Sequence, residues 1–171
     1  MLFAIATGGA ALLSAQQPAT GKESSLAPLY EAIAKQRARA NLPPLAPSPQ
    51  LAQLASDWAR HLARNGDLVH RANLARIMAD SGWWALTENL HFSSKPFDAS
   101  TVLAHWMASK PHRRNLLDPN VTHIGLGLAL DKDGQPFTVF NAAKFTQPPA
   151  QPVAGIAPTP DAPRASPIPA R

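Results

Sequence analysis

The chain contains no cysteine. A disulfide scaffold, a thiolate metal site and a cysteine nucleophile are therefore excluded, while the compartment stays open because many exported domains need no disulfides. Glutamate is almost as scarce. Only Glu23, Glu31 and Glu88 occur, and the first two lie at the start of and within one predicted helical region. Glu88 stands apart, between Leu86 and Leu90, where a carboxylate without a partner would be costly. Basic residues interleaved with aromatics are also lacking. The whole chain carries +5, with a pI near 10.1, and from Lys22 to Thr146 fourteen Lys and Arg face ten Asp and Glu, leaving +4. Only Lys35-Arg37-Arg39, Arg60-Arg64 and Arg113-Arg114 form local basic groups. Solvated helix faces account for them better than nucleic-acid binding, although weak attraction to an anionic envelope surface is compatible. Internal repeats and a serine-nucleophile elbow are missing too.

What is present divides the 171 residues into three parts. Met1 to Gln17 is apolar and small-residue-rich, too short for a membrane span, and resembles the apolar part of an export signal without its positive start. Residues 1–21 are read as this signal-like segment and linker. Residues 147–171 hold eight of the 18 prolines, mixed with alanine. Such a tail cannot bury enough surface to offset its ordering entropy, and extended disorder is expected. The remaining 22–146 is long enough for one packed domain, and 45% hydrophobic content is ordinary for a globular chain.

Within that domain, apolar spacing predicts a helix from about Ser25 to Ala40 and a better-marked one after Ser48-Pro49, ending at Asn65-Gly66. Leu51, Leu54, Ala55, Trp58, Ala59 and Leu62 form its stripe, so Trp58 is expected in the core and His61 on the surface. A short helix over Ala72–Ser81 turns Leu74, Ile77 and Met78 inward. Leu86–Phe92 reads as a short strand. Asp98 can cap a helix through Ser109, with Val102, Leu103, Trp106 and Met107 inward. Pro111 interrupts it and starts a new short helix carrying His112, since proline lacks the N–H but suits a first turn. Val121–Leu130 and Phe137–Phe145 are strands joined through Asp133-Gly134, a good hairpin turn. The predicted class is α+β, with helices on a small, mainly antiparallel sheet.

One stretch carries a resemblance. Trp106-Met107, His112-Arg113, Asn115-Leu116-Leu117 and Thr122-His123-Ile124-Gly125-Leu126-Gly127 follow Leu68-Val69-His70 and Glu88-Asn89-Leu90 in order. Together they resemble the bacterial, cysteine-free branch of the CAP superfamily, the cysteine-rich secretory, antigen and pathogenesis-related proteins. The resemblance implies a three-layer α-β-α sandwich. It also implies a cleft where two histidines and two glutamates can meet around a divalent cation. Matched residue by residue, His70, Glu88 and His112 take three of those places, and Ser109 stands where the second glutamate would be. Two imidazoles and a carboxylate would suit Zn²⁺ with an open water position.

Each of these residues also has a plain structural reading. His70 can be a loop histidine. Glu88 can accept from backbone amides or from Arg113, and His112 can donate to a carbonyl at its helix start. Asn89 and Asn115 read as backbone-bonding residues, His105 as a surface or rim residue. The glycines after His123 read as allowing close packing. Three functions follow. The first is an exported, non-enzymatic module binding an apolar or glycan-like ligand (a small molecule, lipid or glycan) in a His/Glu-lined cleft with room for a divalent cation. The second is a hydrolase of an envelope or peptide substrate with Glu88 as general base. The third is a structural or adhesion domain with a vestigial cleft. The expected location is secreted or in the cell envelope, with no stable membrane span and no nucleic-acid partner.

Overall fold

The computed structural model describes residues 26–145. The signal-like segment and the Pro/Ala-rich tail lie outside the described residues. The elements run α1 (Ala27–Arg39), β1 (Ala46–Pro47), α2 (Pro49–Asn65), α3 (Leu74–Asp80), β2 (Trp83–Phe92), α4 (Ala99–Ala108), α5 (Lys110–Leu116), β3 (His123–Leu130) and β4 (Pro136–Phe145). The strands are ordered β1-β3-β4-β2. Both long pairings, β2 with β4 and β3 with β4, are antiparallel, and β1 adds a two-residue parallel pairing to β3.

Alternation along the strands sends side chains to two cores. Ile124 and Leu126 of β3 and Phe140 and Ala142 of β4 pack with Leu29, Ile33, Val102, Trp106 and Leu116 from α1, α4 and α5. Val139 and Phe137 of β4 and Leu90 of β2 pack instead with Ala55, Ala59 and Leu62 of α2. Helices thus cover both faces of one sheet, giving the three-layer α-β-α sandwich expected from the sequence.

The predicted signals act as caps. The Ser48 hydroxyl accepts from the Leu51 N–H at 3.3 Å, Pro49 occupies the first turn of α2, and Gly66 closes it at φ 75°. An Asp98 carboxylate oxygen accepts from the Thr101 N–H at 2.8 Å to start α4. Helix α2 lies directly on β3 because Gly125 and Gly127 have no side chains. A Cβ on Gly125 would sit 2.0 Å from the Leu51 carbonyl carbon, and one on Gly127 2.3 Å from that of Ala55. These glycines serve close packing, as read from the sequence.

On the opposite face, Trp106 is fully buried and donates its indole N–H to the Leu90 carbonyl at 2.9 Å. Arg37, also fully buried, reaches from α1 to the Leu116 and Asp118 carbonyls at 2.9 and 3.0 Å. A guanidinium at the C-terminal carbonyls of α5 suits the negative end of the helix dipole and fixes the helix that carries His112.

Three expectations change. β2 starts at Trp83 and not Leu86, and Trp84 on it is 74% exposed. Leu74, Ile77 and Met78 of α3 are only half-buried, because α3 lies at the margin of the domain and contributes no fully buried residue. Trp58 is half-buried, packed against the α2 core at its margin and not enclosed within it. Its outer face is covered by side chains and not by another layer.

Candidate functional site

β2 is an edge strand, and groups from both helical layers converge on its free side. Leu90 faces α2, so alternation places Glu88 on the same face. There the Glu88 side chain is 1% exposed. Its Oε1 lies 2.9 Å from His70 Nδ1 and accepts from the Arg71 N–H at 3.1 Å. Its other oxygen, Oε2, is buried without a partner. The His70 side chain is 58% exposed. A buried carboxylate therefore orients a solvent-facing imidazole.

The loop bearing His70 is held from beneath by Trp58. Its indole N–H donates to the Val69 carbonyl at 3.1 Å. One face of the ring stacks on His61 at 4.4 Å between centroids, and the Arg71 guanidinium lies 4.5 Å from the ring centroid. Arg71 also donates to the Leu54 carbonyl of α2 at 2.9 Å. Burial lowers the Arg71 pKa, while the charges of Glu88 and then Asp57 oppose the shift. Arg71 thus supplies the positive charge facing Glu88. Of the two donors read from the sequence for Glu88, backbone amides or Arg113, the Arg71 amide fills the place, while Arg113 donates to the Met107 carbonyl at 2.7 Å.

Helix α5 is fastened to the same strand by amides. Asn89 donates to the His112 carbonyl at 2.9 Å. Asn115 donates to the Glu88 carbonyl at 3.0 Å and to Asn89 Oδ1 at 2.8 Å. With Trp106 on Leu90, these side chains satisfy carbonyls that an edge strand would otherwise expose. Asn89 and Asn115 are backbone-bonding residues, as expected. His112 is half-buried; burial lowers its pKa first, and the His70 charge lowers it further. Ser109 forms the junction of α4 and α5, its N–H donating to the His105 carbonyl at 3.2 Å and its carbonyl accepting from Arg113 at 2.8 Å.

Of the four residues expected in the cleft, His70 and Glu88 are in direct contact, His112 is within electrostatic reach of His70, and Ser109 starts the helix of His112. For a divalent cation the fit is incomplete in this geometry. His70 Nδ1 and Glu88 Oε1 engage each other, and among the described residues no group of three or more His, Asp or Glu could hold an ion.

Sequence reasoning missed a second histidine contact. His91, 6% exposed on β2, places Nε2 2.8 Å from Nδ1 of exposed His105 on α4. No local motif announces the pair, since fourteen residues and a change of element separate them.

The profile of the cysteine-rich secretory protein family, CAP, matches residues 30–142. Among solved structures, an outer surface protein of Borrelia burgdorferi is similar with 23% identity and a TM-score of 0.64, covering 71% of this chain and 92% of that one. An extracellular protein of Bacillus anthracis containing an SCP domain shows 25% identity and a TM-score of 0.57, covering 69% of this chain and 39% of its own. A cysteine-rich secretory protein of Staphylococcus aureus shows 21% identity and a TM-score of 0.58, covering 74% and 41%. The chain thus spans about two fifths of the latter two structures. Comparison with curated proteins gives no match.

Proposed function

Because the chain belongs to the CAP family of cysteine-rich secretory proteins, we propose that it is an exported module that binds a glycan-like or apolar ligand at His70 without turning it over. The observation that carries this reading is the division of labour between His70 and Glu88. The carboxylate is buried and holds Nδ1, which leaves the Nε2 side of a half-exposed ring available to a ligand. Leu68 and Val69, directly before it, are about half exposed. A fixed polar group beside apolar side chains suits a ligand with hydroxyls and an apolar face.

Hydrolysis is the second reading. Burial gives Glu88 the role of orienting group, so a general base in that reaction would be His70 and not Glu88. A divalent cation at His70, Glu88 and His112 would require the His70–Glu88 contact to open. Export is supported by the extracellular relative from Bacillus anthracis. No helix among the described residues is long and apolar enough to cross a membrane.

The test mixes the purified chain with soluble peptidoglycan oligosaccharides and, separately, with phosphatidylglycerol vesicles, and follows binding and products by mass spectrometry. Saturable binding of one of them, weakened in His70→Ala and without products, is expected. Cleaved oligosaccharide or lipid would establish hydrolysis, and no binding to either would leave the structural reading.

A further inference from the structure

Phe137 and Val139 face α2, so alternation along β4 puts Phe145 on the same face. There Trp83 of β2 stacks on Phe145 at 5.3 Å between centroids and 13° between planes, and Phe145 stacks on His123 of β3 at 4.1 Å and 7°. The three rings form a row across neighbouring strands. Trp83, half-buried, also borders an open groove of about 620 Å³ between α2, α3 and the start of β2. Leu54 and Ile77 add apolar walls to it, and Gln50, Gln53 and Asp57 a polar rim. Asp57 is the one charged residue of the lining, and its carboxylate accepts from the Gln53 amide at 3.0 Å and pairs with Arg60. The Trp58 and Trp106 indole N–H groups each donate to a backbone carbonyl, whereas that of Trp83 has no acceptor among the described residues.

We propose that this groove is a second binding site, for a neutral oligosaccharide with one sugar ring lying on Trp83. Neither His70 nor Glu88 lines it, so the site stands apart from recognition at His70. A pyranose has a face of C–H groups and a rim of hydroxyls. The C–H face matches the indole plane, which Phe145 and His123 support from behind and which needs little ordering on binding. The hydroxyls match the rim. Gln53 uses one amide N–H on Asp57, which leaves its carbonyl oxygen to accept from a hydroxyl and its other N–H to donate. Gln50 offers the same two functions, and the Trp83 indole N–H a further donor. Charge selects among sugars. An acidic saccharide would bring its carboxylate beside Asp57, and the lining holds no cation to receive it. A wholly apolar ligand would cover the two amides without hydrogen-bonding them. A few placed polar groups around an apolar floor is the usual form of a small-ligand site of this size.

The experiment titrates the full chain with chitotetraose and, separately, with cellotetraose, and follows the tryptophan indole N–H signals by NMR. The first sugar is N-acetylated and the second is plain glucan, so the pair also shows which kind the groove takes. A saturable shift of the Trp83 signal with at least one of them is expected. Affinity should fall about tenfold or more in Trp83→Ala. It should fall about three- to tenfold in Gln53→Ala, an exposed substitution that leaves the packing intact and decides the matter if Trp83→Ala does not fold. Trp84→Ala, at a ring 74% exposed and outside the groove, should bind as wild type does. A Trp83 signal unmoved by either sugar, wild-type affinity in Gln53→Ala, or a loss in Trp84→Ala equal to that in Trp83→Ala would each overturn the proposal. Because the readout sits at Trp83, the result does not depend on whether His70 binds a ligand.

Discussion

His70 Nδ1 lies 2.9 Å from Glu88 Oε1, and the two side chains differ in exposure by 58% against 1%. The contact joins a loop to an edge strand. It makes the imidazole the working surface and the carboxylate its support, and the consequences of removing either one differ accordingly.

Glu88→Ala removes the acceptor shared by His70 and the Arg71 N–H and leaves the Arg71 guanidinium without its facing carboxylate. A cost of about 1–3 kcal/mol is expected, because partly buried donors lose their partner. His70→Ala should cost under about 1 kcal/mol, as expected for an exposed partner. Urea denaturation of both variants makes the comparison. Equal losses would mean that His70 is a packing residue.

Trp106 and Trp58 should behave differently. Trp106 is fully buried against Phe140, and its change to alanine should cost about 3–5 kcal/mol through transfer and cavity terms. Trp106→Phe keeps much of the volume but strips the donor from the Leu90 carbonyl, for about 1–3 kcal/mol. Trp58→Ala should cost less than Trp106→Ala and should loosen the Val69–His70 loop, seen as faster amide exchange there. A Trp58→Ala loss as large as that of Trp106→Ala would put Trp58 back in the core.

This difference shows what periodicity can and cannot reveal. Spacing placed Trp58 on the right face of α2, but not how much chain would cover that face, and α3 is too short and marginal to bury it. Caps and turns were legible because their chemistry is local: Ser48, Asp98, Pro111 and Asp133-Gly134 act where the sequence puts them. β1 was not legible, being two residues held by a parallel pairing with β3. Arg71 and the His91–His105 pair were hidden for a related reason. Their partners come from other elements, and only the folded sheet brings them together.

Gly125→Ala and Gly127→Ala test the contact between α2 and β3. The added methyl would meet backbone atoms that cannot swing aside, so each should cost about 3 kcal/mol or more. Gly134→Ala, at φ 77° but in open space, should cost only about 1 kcal/mol, for backbone strain alone. Thermal melts of the three variants decide; a benign Gly125→Ala would mean that α2 stands off from the sheet.

Acid should destabilise the metal-free domain from the histidine range downward. In the folded state His91 titrates below the ordinary 6.5, because of burial first, then His105 and His112; His112 is lowered in the same sense by burial and His70. The unfolded chain therefore takes up protons first. The stabilisation is fully present above the unfolded value and is lost as pH falls through the folded values. The melting temperature in chelator should fall between about pH 7.5 and 5.5, with a shallower slope in His91→Gln. A melting temperature that rises on acidification would contradict the assignment.

The most direct measurement follows the His70 ring nitrogens by ¹⁵N NMR while soluble peptidoglycan oligosaccharide is added to the full chain near neutral pH. The expected result is a saturable shift at His70 Nε2, with Nδ1 still bonded to Glu88 and the oligosaccharide recovered uncleaved. No shift at His70 during binding elsewhere, or a shift accompanied by cleavage, would contradict recognition without turnover at this site.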